Sequence, residues 1–122
     1  LSFGNYELPT KTKQDGFQYQ GASYKIKTFN EITKLEKNGA FVYESVPGTA
    51  VFGFRTNGKK VMFTVEGAED AQITLELEPE TEYKVVMNDI NLGKMKTNLG
   101  GKLSLSAELA ENDSVSVNIE KY

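Results

Sequence analysis

The chain has no cysteine, no histidine and no tryptophan among its 122 residues, and its only arginine is Arg55. Without Cys or His there is no tetrahedral zinc site, no Ser-His or Cys-His nucleophile pair, no haem ligand and no imidazole to shuttle protons near neutrality. No disulfide framework can form, and that absence suits exported and cytosolic proteins alike. No apolar run approaches the roughly 20 residues that a membrane-spanning helix needs, so membrane insertion is not expected, and no basic-then-apolar leader opens the chain. The first residue is Leu1, which suggests a processed or excised segment. What survives these absences is carboxylate, hydroxyl and amine chemistry, or binding without chemistry.

Charge is mild overall, 14 Lys+Arg against 17 Asp+Glu for a formal −3. It is unevenly distributed. Up to Lys60 there are 9 basic and 5 acidic residues, or +4; beyond it there are 5 and 12, or −7, and the two halves sum to −3. With lysines scattered through an acidic chain, nucleic acid is not expected as a partner, because phosphate binding wants a dense basic patch with stacking aromatics on the same face.

Helical spacing is nearly absent and period-two alternation recurs. Phe17/Tyr19, Tyr24/Ile26, Phe41/Tyr43, Phe52/Phe54, Val61/Phe63/Val65, Ile73/Leu75/Leu77, Tyr83/Val85/Met87, Leu103/Leu105/Ala107/Leu109 and Val115/Val117/Ile119 make nine short runs. Each reads as a strand with one buried face. Turn residues separate them, including Asn38-Gly39, Asn57-Gly58, Asn88-Asp89 and Gly100-Gly101, with Asn57-Gly58 the strongest hairpin signal. The stretch Phe29–Lys37 carries Phe29, Ile32 and Leu35 every three residues and reads as strand or irregular structure. The pattern predicts an all-β chain: residues 1–122 as a single domain, one antiparallel β-sandwich of eight to ten strands. Phe63, Val65, Ile73, Leu75, Val85, Leu105, Val117 and Ile119 are the predicted core.

Residues Leu77-Glu78-Pro79-Glu80-Thr81-Glu82-Tyr83 have the form L-x-P-x-T-x-Y and run into the alternating strand Lys84–Met87. Physically this is a tyrosine corner: proline ends one strand, the chain crosses between sheets, and the tyrosine hydroxyl bonds back to the crossing backbone. The corner resembles that of fibronectin type III and related immunoglobulin-like modules. The stretch that follows, from Asn88 through Thr97-Asn98-Leu99-Gly100-Gly101-Lys102-Leu103 to Val115-Ser116-Val117-Asn118-Ile119, is similar to a pattern near the C-termini of secreted bacterial polysaccharide-degrading enzymes. The resemblance spans about Val46 to Tyr122. It implies an immunoglobulin-like or fibronectin-like sandwich, a secreted or cell-surface location, and a non-catalytic accessory role within a larger chain, as a monomer. Such modules serve as spacers, adhesion units or sugar binders.

Sugar recognition needs flat apolar faces for pyranose C–H groups and amide, carboxylate or guanidinium groups for the hydroxyls. The first half of the chain supplies both, with 11 of the 13 aromatics before residue 64. Tyrosines suit such a surface because their hydroxyls tolerate water. Tyr19, Tyr24, Tyr43 and Arg55 are therefore the candidate carbohydrate contacts, and a polysaccharide or oligosaccharide is the expected partner. The missing tryptophan, the preferred sugar platform, weighs against this role. Two other sites are weighed. Glu76, Glu78, Glu80 and Glu82 could offer a glycosidase pair, but they alternate with Leu75, Leu77, Pro79 and Thr81 and so read as a solvated face; no catalytic residue is expected. Asn88-Asp89-Ile90-Asn91 and Glu111-Asn112-Asp113 are rich enough in oxygen for a structural calcium ion, yet match no recognised loop spacing and read first as turns. No cofactor is otherwise expected.

Overall fold

A computed structural model describes all 122 residues. Eleven strands follow one another without a helix: β1 (Thr12–Tyr19), β2 (Ala22–Phe29), β3 (Ile32–Lys37), β4 (Ala40–Val46), β5 (Ala50–Thr56) and β6 (Lys60–Glu66), then β7 (Ala71–Glu76), β8 (Glu82–Met87), β9 (Ile90–Lys96), β10 (Lys102–Ala107) and β11 (Val115–Lys121). They form two antiparallel sheets in the orders β1-β2-β3-β4-β7-β10 and β5-β6-β11-β8-β9. No helix is long and apolar enough to cross a membrane. The strand count exceeds the expected eight to ten because β3 and β9 add to the nine runs visible in sequence.

One cluster of 22 buried side chains fills the space between the sheets, and every predicted core residue belongs to it. Burial of that apolar surface is the main force holding the sheets face to face. A buried hydroxyl chain runs beside it. Thr28 and Thr33 share a hydrogen bond of 2.8 Å, Thr33 Oγ donates to Thr49 O at 2.9 Å, and Thr49 Oγ meets both Tyr43 and Ser45 at 2.8 and 2.7 Å. No buried side-chain polar atom is left without a partner, as a low-dielectric interior demands.

The tyrosine corner forms as its residues dictate. The chain leaves β7 in one sheet and enters β8 in the other, and Glu78 N–H donates to the Tyr83 hydroxyl at 3.1 Å. Thr97 braces the crossing by bonding Glu78 O and accepting from Thr81 N–H at 2.9 Å. The acidic residues of this region lie exposed, and Glu76, Glu78 and Glu82 pair with Lys102, Lys121 and Lys94. In the immunoglobulin order the corner strand lies between an earlier strand and its own successor. Here the last strand, β11, takes the earlier strand's place and separates β8 from β6.

Four strands carry one extra residue each, at Asp15-Gly16 in β1, Val42 in β4, Gly53-Phe54 in β5 and Leu92 in β9. Because side chains alternate with a period of two, one added residue moves everything after it to the other face. The bulge in β5 sends Phe52 outward, 44% exposed, and Phe54 into the core at 9%. The bulge in β4 likewise puts Phe41 outside, beneath Lys34 and Lys102, and Tyr43 inside.

Candidate functional site

At one end of the sandwich the β1–β2 hairpin and the ends of β3 and β4 face the end of β5 across a cleft of about 550 Å³. That volume is within the range that accepts small ligands. Three of the four expected contacts meet there: Tyr19 and Tyr24 on the hairpin and Arg55 on β5. Gln20, Lys37, Val42, Phe54 and Glu76 also line it.

The aromatic wall is set by strand pairing. Tyr24 stands opposite both Phe17 and Lys37, and Tyr19 opposite Ala22. The Tyr19 and Tyr24 rings meet edge to face at 6.4 Å, and the Phe17 ring lies tilted 6.4 Å from Tyr24. Such packing holds half-buried rings in fixed orientations while leaving part of each face to solvent. Opposite them, the bulge in β5 swings Arg55 to the rim and lays Phe54 beneath it, in contact with Phe3 and Phe63 at 5.9 and 5.5 Å.

The polar groups of the cleft differ in how far they are committed. The Arg55 guanidinium and the Lys37 ammonium have no carboxylate within ion-pair distance. Both can donate to a ligand oxygen. Glu76 is held by Lys102 at 2.5 Å. Arg55 also borders a shallower hollow of about 240 Å³ on the outward face of the five-stranded sheet, beside Phe52, Met62, Thr64 and Asn118.

Tyr43 does not belong to the cleft surface. Its side chain is fully buried, stacked edge to face with Phe3, Phe54 and Phe63 at 5.3 to 6.5 Å, so its ring cannot meet a ligand. Burial pushes its hydroxyl pKa up to about 12, with the Thr49 and Ser45 hydrogen bonds pulling the other way. It supports the cleft from below, through Phe54.

In the Asn88–Asn91 loop weighed for calcium, two side-chain oxygens serve the backbone. Asn88 Oδ1 accepts from Ser116 N–H at 2.9 Å and Asn91 Oδ1 from Gly93 N–H at 2.7 Å. Asn88 and Asp89 both hold positive φ, 48° and 64°, which makes the tight turn from β8 to β9.

Lys37, Val42 and Glu76 were not among the expected contacts. Lys37 reaches the cleft only because it lies across from Tyr24, and Glu76 because β7 sits between β4 and β10. No family model, no curated protein and no solved structure matches the chain.

Proposed function

We propose that this domain is a non-catalytic carbohydrate-binding module that takes a short stretch of a polysaccharide in the Tyr19–Tyr24–Arg55 cleft. One observation carries the reading: the fold gathers two half-exposed tyrosine rings, an unpaired guanidinium and an unpaired ammonium into one concavity. Apolar rings can lie against pyranose C–H groups while charged donors take the hydroxyls, and charge-assisted bonds are the stronger kind. Glycoside hydrolysis uses two carboxylates, and the cleft has one, Glu76, already bound to Lys102. The corner at Leu77–Tyr83 supports an accessory module of the fibronectin-like kind, attached to an exported bacterial enzyme acting on polysaccharide.

Affinity electrophoresis and calorimetry against starch, xylan, glucan, mannan and pectin test the reading. At least one polymer should retard the protein. Tyr19→Ala and Tyr24→Ala should each weaken that binding about tenfold, and Arg55→Ala by a similar factor. No retardation by any polymer would leave a structural spacer or protein-interaction domain instead. Binding that survives all three substitutions would move the site elsewhere.

A further inference from the structure

The outward face of the six-stranded sheet gathers charge of one sign at its β1–β3 end. Lys13 stands directly across from Lys27, and Lys27 directly across from Lys34, so three lysines form one row over three strands. Lys25 stands beside Glu36 in the adjacent row. Neighbouring strands lie about 4.8 Å apart, and like charges directly opposite one another destabilise a sheet. Compensation is available but goes elsewhere. Lys60, Lys94, Lys102 and Lys121 each pair with a glutamate, whereas Lys13, Lys25 and Lys27 have no carboxylate within ion-pair distance and Lys34 reaches Glu36 only at 3.7 Å. The four lysines and Glu36 line a hollow of about 120 Å³. The lysines that looked scattered in sequence are concentrated by the register.

We infer that this face binds an acidic polysaccharide, seating its carboxylate or sulfate groups among Lys13, Lys25, Lys27 and Lys34. An anion there relieves the repulsion among Lys13, Lys25 and Lys27, none of which has a carboxylate within ion-pair distance. The lysine row continues across the same face through Glu44, Thr74 and Ser104, so hydroxyl groups follow the charges and can bond the sugar's own hydroxyls. Strand spacing is comparable to the rise of one monosaccharide along an extended chain, so successive acidic sugars meet successive lysines. Nucleic acid fits this face less well. Glu36 and Glu44 interrupt it, and one of its aromatic rings, Phe41, lies under Lys34 and Lys102 at 5.8 and 4.7 Å, where bases cannot stack on an open face. The inference rests on the carbohydrate reading for its class of ligand, but on the opposite face of the hairpin from the cleft.

Affinity electrophoresis of the full chain with polygalacturonate, dextran sulfate, neutral dextran and duplex DNA separates the possibilities. One or both acidic glycans should retard the protein, less so as salt rises, and neutral dextran should not. Retardation by polygalacturonate alone assigns carboxylate; retardation by dextran sulfate alone assigns sulfate. The combined variant Lys13→Gln, Lys27→Gln, Lys34→Gln should bind about tenfold or more weakly. It should also melt at the same temperature or higher, since it removes repulsion, so its loss of binding is not a loss of fold. Tyr19→Ala with Tyr24→Ala should leave acidic-glycan binding intact, which keeps failure of the cleft distinct from failure of the lysine face. Unchanged affinity in the lysine variant, equal retardation by neutral dextran, or stronger retention by DNA would each overturn the inference.

Discussion

Tyr43 ends in a hydroxyl buried between the sheets, 2.8 Å from Thr49 Oγ, which in turn lies 2.7 Å from Ser45 Oγ. A phenol so enclosed cannot ionise without carrying charge into an apolar core, a cost that the hydroxyl hydrogen bonds offset only in part. Burial therefore raises its pKa from 10.0 to about 12. The sign of the pH effect follows from proton counts. Between pH 10 and 12 the unfolded chain has released this proton and the folded chain has kept it, so stability falls as pH rises through that interval. The contribution is complete below pH 10, and its loss amounts to about 3 kcal/mol by pH 12, given two units at about 1.4 kcal/mol each. Tyr43→Phe should cost about 1 kcal/mol at pH 7 by removing one buried hydrogen bond. It should also flatten the alkaline decline. Urea unfolding of both proteins at pH 8 and pH 11 measures this, and a constant difference between them at the two values would refute the assignment.

The bulge in β5 shows how one element positions both core and cleft. Phe52 pairs with Thr64 and Arg55 with Met62, leaving Gly53 and Phe54 opposite a single residue of β6. Gly53 holds φ at +63° with nothing near its Cα that a methyl group would strike. Gly53→Ala should thus cost only the left-handed backbone penalty, about 1–2 kcal/mol. Deleting Gly53 should cost little more, because Phe54 then follows Phe52 directly and plain alternation still turns it inward opposite Phe63, with Arg55 still opposite Met62. What the deletion removes is the bend and extra twist of a bulge, so sugar affinity should fall through Arg55 while Phe54 stays buried. A loss of about 3–5 kcal/mol in the deletion variant, like that of removing a core phenylalanine, would show that Phe54 is buried only through the bulge. Bulges also mark where sequence reading stops. Alternation announced nine strands and the buried aliphatics, because those positions obey period two without interruption. It placed Phe41 with Tyr43 and Phe52 with Phe54, and in each pair an unpaired residue puts the two rings on opposite faces. β3 was obscured because its inward side chains are Thr33 and Leu35, and a threonine signals burial only when its hydroxyl partner is known. β9 is an exposed edge strand carrying a bulge and Gly93, so almost none of it is apolar toward the core. Of the cleft, Tyr19, Tyr24 and Arg55 were legible as exposed-aromatic and cationic residue types. Lys37 and Glu76 depend on which strands pair, information that no local pattern contains.

Stability across the whole molecule should grade from the hairpin β1–β2 toward the sheet centres. β11 lies between β6 and β8, and β7 between β4 and β10, with alternate residues of both wholly buried. β1 is an edge strand whose first five residues are all exposed and whose partner is β2 alone. Few buried contacts and one free edge make it the segment that opens most easily. Its Tyr19, with Tyr24 across the hairpin, is also the aromatic wall of the cleft, so opening dismantles the site. A ligand that needs both tyrosines binds only the closed form and must suppress opening by the factor 1 + [L]/Kd. Hydrogen exchange followed by mass spectrometry should show β1 amides exchanging fastest among the strands and those of β7 and β11 slowest. An oligosaccharide from whichever polymer binds, at a free concentration one hundred times its Kd, should slow β1 exchange about a hundredfold and leave the β8–β9 hairpin unchanged. Protection that stays the same in β1 while rising at β8–β9 would place the ligand at the far edge of the five-stranded sheet. Because hairpin opening removes the cleft wall and not the core, the same experiment separates loss of the site from loss of the fold, which melting temperatures alone cannot do.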